Sequence, residues 1–260
     1  MSDSAMILNI RPDVALANAS DVGCVRATND DYYLFIEPQE EVEFQHRGRL
    51  ILVADGMGGY KGGRVASRLA ADTIRDVFLR SVDEDPVAVL TEGFQQAHQA
   101  IRQAAEIDPE VGSMGTTCTA IILRDRKLTL GHIGDSRLYL LRDAKATRLS
   151  RDHTAVNDMI EAGLITAEEA VNHEKKHVLS AALGVGESSA AEFFHDPVVL
   201  KEGDILLLCT DGLHGLVTDD ELASTTVDQS LEDACAELIA WAKVRGGPDN
   251  ITLQMIRMDT

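Results

Sequence analysis

The sequence has no cysteine pair at metal-binding or redox spacing, no long apolar run and no excess of basic residues. Its four cysteines, Cys24, Cys118, Cys209 and Cys235, lie far apart. Cys118 and Cys209 sit inside apolar runs, where a free thiol packs as a small hydrophobe, so a disulfide framework is not expected. No apolar stretch approaches the ~18 residues of a membrane span. The opening MSDSAMILNIRPDVAL lacks the basic start and apolar stretch of a signal peptide. These absences lead to the expectation of a soluble, cytoplasmic chain. With 24 basic residues against 43 acidic ones, and a formal charge of -19, the chain lacks the basic footprint needed to bind nucleic acid or an anionic membrane. It also lacks a low-complexity linker, a Pro-rich hinge and an internal repeat. Its 260 residues, 45 % of them apolar, fit a single domain with a sizeable core.

What is present is a set of short apolar runs ending at aspartate. LILVA (50–54) and DILLLC (204–209) read as buried strands closed by Asp-Gly turns. Further strands are expected at Tyr32–Ile36, Gly115–Leu123, Lys127–Ile133, Arg137–Leu141, Glu192–Leu200 and Ile251–Ile256. Helical spacing of apolar residues predicts long helices over Arg64–Leu79 and Val87–Glu106, and a third over Leu231–Lys243. Shorter helices are expected at 155–163 and 167–174, the latter opened by a capping box of Thr166 and Glu169. Strands and helices do not alternate regularly, so the order suits packed antiparallel sheets with helices outside.

Two constellations compete for the chemistry. HEKKH (173–177) fits H-E-x-x-H, in which two histidines one helical turn apart hold zinc and the glutamate is a general base. A zinc peptidase through His173, Glu174 and His177 needs a third ligand, for which His195, Glu187 and Glu192 are the candidates, none in a recognised continuation. The second constellation is three aspartates bordering apolar strands: Asp55 in ADGMGG, Asp211 in TDGLHG and Asp249 in GGPDNIT. Asp-Gly is by itself a common turn. Three such carboxylates on one sheet rim would repel one another and call for cations, and hard oxygen donors suit Mg²⁺ or Mn²⁺.

RATNDD (26–31), VADGMGGYKGG (53–63), GTT (115–117), HIGDSRLYLLRD (132–143), CTDGL (209–213) and GGPDNIT (246–252) occur in order. Together they resemble the metal-dependent serine/threonine protein phosphatases, the protein phosphatase 2C-like family, in their bacterial form. The resemblance runs from about Ala15 to Met258. It implies a single phosphatase domain (1–260, core about 15–258) of α+β class, a four-layer α-β-β-α sandwich of two antiparallel sheets flanked by helices, with a helical flap at about 152–184.

The resemblance also implies chemistry. Two Mn²⁺ or Mg²⁺ ions would share Asp55, with the Gly56 carbonyl on one and Asp211 and Asp249 on the other. Asp31, with Asp30 beside it, would hold water around the ions, and Asp135 would bind a third. Water activated between two ions would attack phosphorus without a covalent intermediate. Arg26 would grip the phosphate through its planar fork. The substrates would be phosphoserine and phosphothreonine proteins, and the partner a bacterial serine/threonine kinase. Ser136 and Arg137 read as structural, and the glycines of GMGGYKGG as allowing close backbone approach. Two departures stand out. Met57 follows Asp-Gly where several relatives carry a histidine proposed as the leaving-group acid, and Ala181 stands where many relatives have an arginine. HEKKH falls inside the flap, with His177 about where relatives bring a flap residue near the third ion. A fold that retains binding but has lost turnover is the remaining alternative.

Overall fold

The computed structural model describes residues 10–59, 61–108, 112–193, 198–227 and 229–260. The zinc-ligand candidate His195 and the first nine residues lie outside them. In chain order the elements are β1 (Val14–Asp21), β2 (Asp31–Ile36), α1 (Glu41–Arg47), β3 (Arg49–Gly58), α2 (Gly62–Arg80), α3 (Pro86–Ile107), β4 (Met114–Thr116), β5 (Cys118–Arg124), β6 (Lys127–Ile133) and β7 (Arg137–Arg142). They continue with β8 (Lys145–Arg148), α4 (Ala155–Glu161), α5 (Ala167–Val171), β9 (Glu192–Phe193), β10 (Val198–Val199), β11 (Ile205–Cys209), α6 (Asp211–His214), α7 (Asp219–Thr225), α8 (Leu231–Val244) and β12 (Ile251–Met258).

Two antiparallel sheets form. One has the order β1-β12-β11-β7-β8 and the other β10-β6-β5-β3-β2, with β4 added to β3 and β9 to β6. Strand alternation sorts the apolar residues into three layers. In β3, Leu50, Leu52 and Ala54 face α2 and α3, where Ala66, Ile74, Phe78, Phe94 and Ile101 meet them. Ile51 and Val53 face the opposite way, into the space between the sheets, with Phe35, Ile121, Leu206, Leu208 and Ile256. On the far side Ile205, Leu207, Leu253 and Met255 pack under Leu231, Leu238 and Ala242 of α8. The expected four-layer α-β-β-α sandwich is the architecture found.

The inter-sheet layer is closed at one end by an ion-pair cluster. Arg49, 1 % exposed, sits at the start of β3. Its Nε meets Glu37 Oε2 at 2.5 Å, and its Nη1 and Nη2 meet the two Asp13 oxygens at 3.0 and 2.6 Å. Asp13 precedes β1, so this guanidinium ties one sheet to the other. Asp55 lies at the opposite end of the same strand.

Several expected elements differ. β3 does not stop at Ala54: Asp55 and Gly56 continue it, paired to Asp31 and to Thr116. The expected strand 115–123 is broken at Thr117, because its first part pairs with the end of β3 and its second with the earlier residues of β3. The expected strand 192–200 is seen as two short pieces, both on β6. Strands β1 and β8 and helices α1, α6 and α7 were not expected; Asp211, read as part of a turn, opens α6. β1, VALANASD, carries only two large apolar side chains, Val14 and Leu16, and relies on β12 for its pairing. α5 has the predicted capping box but ends at Val171, three residues short of 174. HEKKH therefore runs through turns after the helix, and its two histidines are not stacked on one helical face.

Replacing Arg49 would leave Asp13 without its guanidinium partner and the buried Glu37 carboxylate with Arg11 alone, 3.2 Å from its Oε1. Arg49→Leu is expected to destabilise the fold by about 3 kcal/mol in urea unfolding.

Candidate active site

Register decides where the carboxylates go. Asp31 and Asp55 are direct partners in the β2–β3 ladder, and both share the parity of the residues that fill the inter-sheet layer. They cap that layer at the end away from Arg49. The other sheet brings Thr210 at the end of β11, Asp211 in the first turn of α6, and Asp249 just before β12. The β6–β7 loop, which passes from one sheet to the other, adds Asp135. The five aspartates predicted from the sequence, together with Gly56 and Arg26, are thus gathered at one rim. Asp55, Asp135, Asp211, Asp249, Gly56 and Arg26 line a cleft of about 1100 Å³ there.

Hydrogen bonds from the scaffold set each group. The Asp55 N–H donates to Thr117 Oγ1 at 2.9 Å, and Thr117 Oγ1 lies 2.7 Å from Ser136 Oγ. Thr210 Oγ1 donates to Asp31 Oδ2 at 2.9 Å. Asn250 carries the loop that holds Arg26: its side-chain amide donates to the carbonyls of Val22 and Thr28, both at 2.9 Å, and its Oδ1 accepts from the Asp30 N–H at 2.8 Å. Thr117, Thr210 and Asn250 were not singled out in the sequence, although all three lie inside quoted motifs. Ser136 and Arg137 are structural, as expected: Arg137 grips Asp152 at 2.7 to 3.2 Å.

Two glycines permit contacts that no side chain would. A Cβ on Gly56 would stand 2.1 Å from the Gly63 carbonyl oxygen, and one on Gly212 would stand 1.9 Å from the Asn250 carbonyl oxygen. The first contact brings the entry of α2 against Asp55–Gly56; the second seats α6, and with it Asp211, against β12.

The cluster is electrostatically strained. Burial, together with the neighbouring carboxylates, lifts Asp31 to about 7 despite the hydroxyls of Thr252 and Thr210 beside it. Burial and the charges of Asp211 and Asp152 lift Asp135 to about 7. Asp55 is held well above the ordinary range by burial and then by Asp31 and Asp211, and Asp211 is raised by burial and by Asp249. Oδ1 of Asp31 and Oδ1 of Asp211 are buried with no hydrogen-bond partner among the described residues. Arg26 Nη2 meets Asp249 Oδ2 at 2.8 Å, while Asp249 Oδ1 accepts the Asn250 N–H.

Orphaned, mutually repelling, all-oxygen donors fit a hard divalent cation. No three Asp, Glu, His or Cys side chains among the described residues already close round one point as a cage. Asp249 is turned to Arg26, so the set is one of open donors that backbone carbonyl and water would complete.

The flap forms the opposite wall. Lys176, His177, Leu179 and Ala181 line the cleft. His173 points its Nδ1 at the Lys175 N–H, 3.1 Å away, and does not line the cleft. The H-E-x-x-H geometry is therefore absent, because the chain leaves the helix before the motif begins.

Comparisons with known proteins identify the family. The profile of the protein phosphatase 2C family matches residues 27–242. The serine/threonine protein phosphatase PstP of Mycobacterium tuberculosis is 35 % identical over 237 residues, which cover 91 % of this chain and 43 % of PstP. Protein phosphatase PhpP of Streptococcus pneumoniae is 34 % identical over 248 residues, 92 % of this chain and 96 % of PhpP. This chain thus spans less than half of PstP and nearly all of PhpP. The crystal structure of the PstP catalytic domain in complex with two manganese ions superposes with a TM-score of 0.79 at 32 % identity, covering 95 % of this chain and 99 % of that one. A match over most of the chain, the shared architecture and the converging aspartates lead to one conclusion: this chain belongs to the protein phosphatase 2C family of serine/threonine protein phosphatases.

Proposed function

We propose that this chain hydrolyses phosphoserine and phosphothreonine in proteins, using water activated by two divalent metal ions. The observation that carries this reading is the buried aspartate cluster, with unpartnered oxygens on Asp31 and Asp211, at the floor of a cleft with Arg26 at its side. Asp55, the Gly56 carbonyl, Asp211 and Asp249 would hold the two ions, with Asp31 behind them and Asp135 available to a third. Mn²⁺ and Mg²⁺ both suit such donors; PstP, with two manganese ions, supports the count. Two divalent ions supply the acidity that makes water a nucleophile at neutral pH and the positive charge that phosphoryl oxygens need.

The chain's own groups do the rest. Arg26, released from Asp249, would hold two phosphoryl oxygens in its planar fork and orient the ester for in-line attack. The Met57 thioether lines the cleft and donates no proton, so the leaving hydroxyl takes its proton from water. The flap wall stands where the flanking peptide would run. The phosphoproteins would be products of a serine/threonine kinase, and no described helix is long and apolar enough to cross a membrane. A cytoplasmic setting, in which its four free cysteines stay reduced, completes the reading.

Phosphate release from a phosphothreonine peptide tests it. Activity is expected with Mn²⁺, to vanish in EDTA, and to fall by ~10² or more in Asp211→Asn. Full turnover in EDTA would overturn the two-ion mechanism.

The raised carboxylates give a second test. A carboxyl whose folded pKa lies above its unfolded value adds stability while protonated and loses it as pH rises through the window between the two. For Asp31 that window runs from 3.8 to about 7. In metal-free protein, Asp31→Asn is expected to become more stable than the parent as pH rises through this window, with the gap level above it. Mn²⁺ should reverse the order by stabilising the parent more. Thermal melts of both proteins at pH 4, 6 and 8, with and without Mn²⁺, read this directly.

A further inference from the structure

The flap is pinned at its neck, and one buried histidine makes the pin. His153 is 3 % exposed and stands two residues before α4. Its N–H donates to the Gly134 carbonyl at 2.7 Å, and the Gly134 N–H donates back to its Nδ1 at 3.2 Å. Its own carbonyl accepts the Ser180 N–H at 3.0 Å, and the Ala155 N–H meets the Val178 carbonyl at 2.8 Å. The two ends of the flap, 153–155 and 178–180, are therefore zipped together. The zip is fastened to Gly134, the residue before Asp135.

Gly134 can take this role only as glycine. Its φ is +99°, and a Cβ there would stand 2.6 Å from the Thr117 side chain. The ring of His153 is held in turn. It packs against His132, with centroids 5.0 Å apart, and His132 is fixed by Thr119 Oγ1 at 2.9 Å and the Arg151 carbonyl at 2.8 Å. Because Nδ1 accepts from a backbone N–H, the proton of the neutral ring sits on Nε2. Nε2 lies 3.5 Å from Glu192 Oε1, too long for a normal hydrogen bond. The ring's firm polar contact is thus the one to Gly134. Past the neck, Leu183 exchanges backbone hydrogen bonds with Thr116, the partner of Gly56. Between these two anchors the flap presents Lys176 and His177 to the cleft.

We propose that His153 is a positioning residue that ties both ends of the flap to the Asp135 loop and so sets where Lys176 and His177 stand over the cleft. Its consequence for peptide binding rests on the phosphatase reading; the tether does not. The tether depends on an acceptor at the Nδ1 position, which asparagine can supply through Oδ1 and leucine cannot.

The test compares His153→Leu, His153→Asn and the parent as full chains. In native-state proteolysis, cleavage within 155–178 is expected to speed up ~10-fold in His153→Leu, the loss of one buried hydrogen bond, and to return close to the parent rate in His153→Asn. The KM for a phosphothreonine peptide should rise in His153→Leu more than kcat changes, and His153→Asn should restore it. Equal cleavage in the two variants, or cleavage that simply follows their stability in urea, would overturn the proposal. Proteolysis reads the tether whether or not the protein turns over, so a failed tether and a failed phosphatase reading give different results. Should His153→Leu not fold, hydrogen exchange on the parent decides. The amides of Gly134 and Ser180 should open together and more slowly than those of 172–177, and unrelated rates would rule the tether out.

Discussion

Asp31, buried, and Asp55, half-buried, face each other across a strand pair as two carboxyl groups that cannot both ionise without repulsion. Directly opposed like charges destabilise a sheet, and the rest of the active site is arranged around that repulsion. Thr210 and Thr117 hold Asp31 and the Asp55 backbone in place without neutralising either. Asp211 and Asp135 add to the negative potential. Arg26 is attached to Asp249 at the edge. The opposite end of the same inter-sheet layer shows what full compensation looks like, with Arg49 and Arg11 set against Glu37 and Asp13. One end is thus a finished structural ion-pair cluster. The other keeps surplus negative charge, which is what a site built to take up divalent cations requires.

The scaffold makes that arrangement tolerable through three apolar layers and through backbone contacts between elements remote in sequence. The Gly56–Gly63 and Gly212–Asn250 approaches lock the carboxylates' own main chain. The side chains then have little freedom to swing away from one another. An oxygen cluster held this way meets a metal ion without first having to be ordered.

The flap is organised differently. Its interior is two short helices and turns, and much of its surface is exposed. Its neck, by contrast, is tied to the Asp135 loop and to the strand beside Gly56. A segment that faces the cleft with anchored ends and a loosely packed middle can vary its residues without disturbing the floor of the cleft.

Much of this was legible in the sequence. The long helices follow from apolar spacing at Arg64–Leu79 and Val87–Glu106, and packed antiparallel sheets with helices outside from the order of the elements; the four-layer arrangement came with the family resemblance. The order of six short motifs placed the aspartates and Arg26 in one family pattern. Other features were not legible, because they depend on partners distant in the chain. Asp55 looked like the first residue of a turn, yet it extends β3 because Asp31 and Thr116 offer backbone partners. β1 is too weakly apolar to announce itself and exists through β12. HEKKH matched a zinc motif letter by letter, but a motif of two histidines four apart has meaning only on a helix, and α5 ends before it. His153 carried no local signal, since its role comes from Gly134 and Ser180. The sequence by itself determined the type and order of the elements and the identity of the oxygen donors, because periodicity and side-chain chemistry are local properties. Only the tertiary structure decided which donors are left unpartnered and which histidine faces the cleft, because those depend on contacts between segments up to the length of the chain apart.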